Sequence, residues 1–120
     1  MITVDLKSRV PIYEQIVDSV KSAILSGLLG PDEQLPAVRK LAVELAINPN
    51  TIQKAYTILE AQSIVYSIPG RGSFVSADTG ALADAHHAKL ISELKQLLDD
   101  AKRSGISKKE ILDIVNGYGE

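Results

Sequence analysis

Cysteine is absent from this 120-residue sequence. That excludes a disulfide framework, a thiolate zinc site and a cysteine nucleophile, and it is compatible with a reducing compartment. Long apolar runs are absent too, so no segment reaches the roughly 20 residues needed to span a bilayer. Met1 to Lys7 lacks a basic head followed by an apolar stretch, so no signal peptide is expected and the expected location is the cytoplasm. An excess of positive charge is also missing. Thirteen Lys or Arg against fifteen Asp or Glu give a net charge of -2, which counts against a broadly basic surface for neutralising phosphates.

What is present is the composition of a folding protein, 45% hydrophobic and 23% charged, too apolar for disorder. The length suits one average domain, or a small domain with an appendage. Residues 1 to 76 hold seven cations and seven anions, and residues 77 to 120 hold six against eight. The first part is therefore neutral. Four of its cations, Arg39, Lys40, Lys54 and Arg71, lie in or beside the segments described next, so a local patch on a neutral body is expected.

Pro11 opens a periodic segment in which Ile12, Ile16, Val20, Ala23, Ile24 and Leu28 recur at three- and four-residue steps, the pattern of an amphipathic helix. Gly27 and then Gly30-Pro31-Asp32 supply the stop and turn, and Glu33-Gln34-Leu35 reads as a connector or a brief strand. Pro36 introduces a second helix. Within Ala37 to Leu45 its apolar stripe is Val38, Leu41, Ala42 and Leu45, leaving Arg39, Lys40 and Glu44 exposed. Only Ala46 and Ile47 separate it from Asn48, whose side chain can cap a third helix with Pro49 at its first position. Along that third helix Ile52, Ala55, Tyr56 and Leu59 share one face, while Asn50, Gln53, Lys54 and Thr57 share the other. Amides that can bond adenine edges, a lysine and a threonine suit the major groove of DNA; an ordinary solvated face is the bland alternative. Two helices joined by so tight a turn form a helix-turn-helix unit.

After a helix end near Gln62 the pattern changes to period two. Ile64 to Ile68 and Ser73 to Ser76 flank Pro69-Gly70-Arg71-Gly72, which predicts a β-hairpin with an arginine at its tip. That arginine can meet phosphate or the minor groove, or simply be solvated. Asp78-Thr79-Gly80 then marks a polar break, giving domains 1–77 and 78–120. In the tail, Leu90, Ile91, Leu94, Leu97, Leu98 and Ala101 make one helical face up to Arg103. Ser107-Lys108-Lys109-Glu110 matches a capping box, and Ile111, Leu112, Ile114 and Val115 follow. About forty residues in two helices bury too little surface alone. The tail is expected to pair with its copy in a second chain as a homodimer, with Leu90, Ile91, Leu94, Leu97, Leu98, Ile111 and Val115 in the interface; the alternative is a tail folded back on its own domain.

The blocks Pro11 to Ile16, Leu35 to Ala42, Asn48 to Tyr56 and Gly70 to Val75, in this order and spacing, resemble the winged-helix DNA-binding domain of GntR-family transcription regulators. The resemblance covers residues 8 to 76, and the short tail resembles the YtrA-type branch of that family. It implies a mainly α fold with a small β-hairpin, a winged helix-turn-helix domain followed by a two-helix dimerisation tail. It also implies that Arg39 contacts phosphate or base, that Asn48, Asn50, Thr51 and Gln53 lie in the major groove, and that Gly70 approaches the minor groove, with Arg71 following by adjacency. Three places depart from the family pattern. Ala37 replaces the common serine, Gln62-Ser63 stands where a glycine usually ends the recognition helix, and Pro49 and Gln53 occupy positions where other branches carry arginine.

No catalytic constellation is present. His86 and His87 are adjacent, about 100° apart on a helix, and so do not form the i, i+4 face of a zinc helix; a small metal sensor built on them is a further alternative. Asp99-Asp100 reads as a solvated acidic face, and Gly70-Arg71-Gly72 is too short for a nucleotide-binding loop. The expectation is a regulator, acting as a repressor, with no enzymatic activity, no cofactor and no metal. Its partners are double-stranded operator DNA and its own copy, with room for a small effector that no residue set identifies. The rival is a winged-helix protein-interaction module without specific DNA binding, which the neutral head domain keeps open.

Overall fold

Pro11 has no amide to donate, and the first helix of the computed structural model begins directly after it; residues 2–119 are described. Helix α1 spans Ile12–Leu25 and buries Ile16, Val17, Val20, Ala23 and Ile24. It stops before Leu28. Gly27 takes φ 83°, a left-handed conformation that glycine adopts without steric cost, and the chain leaves helical phase there. Leu28, expected on the apolar face, is 66% exposed, and Leu29 takes the core position instead.

The connector becomes strand-like. Gln34 bridges antiparallel to Phe74, Leu35 N–H donates to the Ser73 carbonyl at 2.8 Å, and Val75 N–H donates to the Glu33 carbonyl at 2.8 Å. Helix α2 spans Val38–Leu45 and α3 spans Pro49–Ala61. Between them Ala46 adopts φ 56°, a left-handed turn made without glycine, while Ile47 N–H returns to the Ala42 carbonyl. Asn48 Oδ1 accepts from Asn50 N–H at 2.8 Å, the cap expected from the sequence. Helix α3 closes at Ser63, itself left-handed at φ 60°, so a serine does the work usually given to glycine.

Strands β1 (Val65–Ile68) and β2 (Gly72–Val75) pair antiparallel with Val65 opposite Val75 and Ile68 opposite Gly72. Helix α3 packs against α1, α2 and β1, and Ile16, Val20, Leu29, Ile52, Leu59 and Val75 are the largest fully buried side chains of the core. Tyr56 joins them. Its hydroxyl donates to the Pro36 carbonyl at 2.8 Å and so ties α3 to the entry of α2.

Burial raises the Tyr56 phenol above the ordinary tyrosine value of about 10, because a phenolate there would lose its water. The folded chain therefore keeps this proton at pH values where the unfolded chain releases it. Above about pH 10 the unfolded state binds fewer protons, so stability falls as pH rises beyond that point. Tyr56→Phe is expected to flatten this alkaline loss while lowering stability at neutral pH by about 1 kcal/mol for the missing hydrogen bond. Urea unfolding on both sides of about pH 10 reads both effects, and an unchanged alkaline limb would exclude Tyr56 as its source.

Contacts divide the chain into two units between Ala83 and Asp84. Helix α4 (Gly80–Arg103) begins within the first unit, where Leu82 packs against the core. In the second unit α5 spans Lys108–Asn116, and Ser107 Oγ accepts from Glu110 N–H at 3.2 Å, the serine half of the expected capping box. No residue of α4 or α5 is buried.

Candidate nucleic-acid interface

Helix α3 divides as its sequence period requires. Ile52, Ala55, Tyr56 and Leu59 are buried, while Asn50, Gln53, Lys54 and Thr57 are exposed and Thr51 is half-buried. Anchoring four side chains on one face fixes the rotation of the helix, and hence the direction of the other face. Arg39 and Val43 of α2 join Asn48, Pro49, Asn50 and Gln53 of α3 around one open depression of about 850 Å³. The structure thus brings together Arg39 and the amides that the sequence placed nine and more positions away.

The polar groups are not equally free. Asn48 Oδ1 is engaged by the cap, which leaves its amide nitrogen as the free end. Gln53 Nε2 donates to Thr57 Oγ1 one turn on, at 3.3 Å, so its carbonyl is the free end. Lys54 stands on the α1 side of the helix, its Nζ 3.9 Å from the centre of the Tyr13 ring.

Gly70 and Arg71 lie at the hairpin tip, lining a second depression with Asp32, Gln34 and Tyr66. Positive φ at Gly70 (77°) and Gly72 (120°) makes the turn, and a Cβ on Gly72 would lie 2.9 Å from Gln34 Nε2. Gln34 is a residue that sequence reasoning missed. Its Nε2 donates to the Arg71 carbonyl at 2.7 Å, locking the tip to the connector before α2. Tyr66 stacks on Phe74 with centroids 5.6 Å apart and donates its hydroxyl to Asp32 Oδ1 at 2.8 Å. That hydrogen bond, followed by burial and the carboxylate charge, raises the Tyr66 phenol above its ordinary value.

Charge placement answers the neutral total. Among the described residues the ion pair formed is Arg103 with Asp100, in the tail. Arg39, Lys40, Lys54 and Arg71 have no carboxylate within ion-pair distance among those residues, so a phosphate approaching them displaces no internal partner. His86 and His87 are both exposed on α4, and no group of three metal-binding side chains gathers among the described residues. Of the tail residues, Leu90, Leu94 and Leu97 are at least half exposed, Ile91, Leu98 and Val115 are exposed, and Ile111 is half-buried.

Residues 12–75, which carry this entire arrangement, match the family described as bacterial regulatory proteins, gntR family. The chain belongs to the GntR family. Over 112 residues it is 38% identical to the HTH-type transcriptional repressor YtrA of Bacillus subtilis (strain 168), covering 92% of this chain and 86% of that protein. The crystal structure of a transcriptional regulator from Oenococcus oeni superposes with a TM-score of 0.83 at 35% identity, over 95% of each chain. A third neighbour, AraR(DBD) in complex with operator ORE1, is 29% identical over 63% of this chain and 93% of that one, with a TM-score of 0.55. This GntR-family chain is a DNA-binding transcription regulator of mainly helical fold and not an enzyme. No helix among its described residues is long and apolar enough to cross a membrane.

Proposed function

We propose that this GntR-family regulator represses transcription as a homodimer on a two-fold symmetric operator. The observation that carries the reading is the row of uncovered apolar side chains on α4 and α5, in a chain whose head exposes Asn50, Gln53, Lys54 and Thr57 along α3. Two helices of this size bury too little to hold a leucine face in water alone, and a second copy of the same face is its simplest cover. Pairing through the tails sets two α3 helices in successive major grooves, about 34–36 Å apart. Asn48, Asn50, Thr51 and Gln53 then meet base edges, Arg39 and Lys54 meet phosphates, and Gly70 and Arg71 hold the flanking backbone or minor groove. Occupying the operator excludes the transcription machinery sterically. A small effector, where one acts, does so by binding more tightly to one relative setting of the two heads than to another.

Selection of bound sequences from a random DNA pool tests this directly. An inverted repeat is expected, and its spacing reports the dimer geometry. Gln53→Ala should relax preference at one position of each half-site, a loss of about 1–3 kcal/mol against the cognate base. An unaltered preference would remove Gln53 from the reading face. Failure of the unsubstituted chain to enrich any sequence at low salt would leave the rival, a helix that faces protein.

A further inference from the structure

Resting on the DNA-reading role of α3, we propose that Tyr13 is a positioning residue that holds the Lys54 ammonium against the phosphate wall of the major groove. Lys54 Nζ lies 3.9 Å from the centre of the Tyr13 ring. The ring is half-buried and packed against the core of the head, whereas Lys54 is exposed. One partner is therefore a fixed platform and the other a flexible stem. Attraction between the cation and the negative face of the ring restrains a side chain that otherwise samples many rotamers. The carboxylate beside this platform is Glu14, whose Oε1 accepts from the Tyr13 hydroxyl at 3.3 Å. No carboxylate among the described residues pairs with Lys54, so its charge stays available to a ligand.

Placement identifies that ligand as a phosphate. Lys54 directly follows Gln53, so it projects about 100° around the helix from the amide row. Arg39 stands on the α2 side of that row, and Lys54 stands on the α1 side, over Tyr13. A helix seated in a major groove about 12 Å wide has a sugar-phosphate wall on each flank. Each of the two cations faces one wall. A lysine that contacts phosphate loses rotamer freedom on binding, which weakens the gain. Tyr13 removes part of that loss before DNA arrives. An exposed cation–π contact corresponds to an affinity gain of about two- to fivefold.

The test uses the full chain and a random-sequence duplex, titrated by fluorescence anisotropy over a range of salt. The forms compared are the unsubstituted chain, Tyr13→Phe, Tyr13→Leu, Lys54→Met and the Tyr13→Leu/Lys54→Met double variant. Lys54→Met should reduce the salt slope by about one per reading head. Tyr13→Leu should weaken binding about two- to fivefold and keep the slope, Tyr13→Phe should restore full affinity because the ring face remains, and Tyr13→Leu should add nothing once Lys54 is methionine. Any shared loss of folding cancels in this double-mutant cycle. An equal loss from Tyr13→Leu in both backgrounds would overturn the proposal, because Tyr13 would then act through the fold. An unchanged slope in Lys54→Met would overturn it as well. Absent or salt-independent binding by the unsubstituted chain would instead overturn the DNA-reading role beneath it.

Discussion

Replacing Leu94 and Leu98 together with aspartate is expected to give a monomer whose operator affinity is about 10²- to 10⁴-fold weaker. Both leucines lie on the apolar row of α4, at 51% and 36% exposure in the isolated chain. Neither contributes to the core of the head, so the substitutions leave that fold intact. In a homodimer the same side chains face a second copy, and two buried carboxylates without partners are strongly unfavourable there. The DNA consequence follows from linkage. Two reading heads joined by a tail bind the second half-site at high effective concentration, and separation removes that advantage without altering any contact in the head. Sedimentation of the free protein and titration of the selected operator read the two effects separately. A variant that stays dimeric would exclude this face as the interface, and a monomer with undiminished affinity would exclude dimerisation from the mechanism. Truncation after Ala83, which retains Leu82 on the core, should reproduce the phenotype.

Ile52→Ala is expected to destabilise the head by about 2–5 kcal/mol. Ile52 has no exposed surface and lies about 100° around α3 from the exposed Gln53. Its removal leaves a cavity in a core that meets α1, α2 and β1 through α3, so little collapse can refill it. A loss of this size is a large share of the stability of a small domain. Urea denaturation followed by helix signal measures it directly, and a cost below about 1 kcal/mol would mean that the site relaxes freely. The contrast with Gln53→Ala is informative. One residue away on the same helix, the exposed amide should change sequence preference with little effect on folding, whereas the buried isoleucine should change folding and affect DNA only through the folded fraction.

Much of this division was legible beforehand. The 3.6-residue period alone separated Ile52, Ala55, Tyr56 and Leu59 from Asn50, Gln53, Lys54 and Thr57, and the buried and exposed sets agree with it. The Asn48 cap was legible for the same reason, since the bond runs to a residue two positions on. Period failed where phase was lost. Leu28 counted as a continuation of α1, but the left-handed Gly27 intervened and Leu29 entered the core. Composition failed where an unexpected residue took a glycine's role. Ala46 and Ser63 both occupy left-handed conformations, at about 1–2 kcal/mol each, held by the helices they terminate. No local signal in those residues announced it.

The stretch from Asn48 to Tyr56 by itself determined where a helix starts, which face packs and which side chains are offered outward, because each depends on residues within a few positions of one another. Tertiary structure alone decided what stands around that face. It set Arg39 around the same depression as Asn50 and Gln53, laid Lys54 over Tyr13, and tied Gln34 to the carbonyl of Arg71. These contacts join elements far apart in the chain, and their geometry follows from how three helices and a hairpin share one core, which no local period encodes.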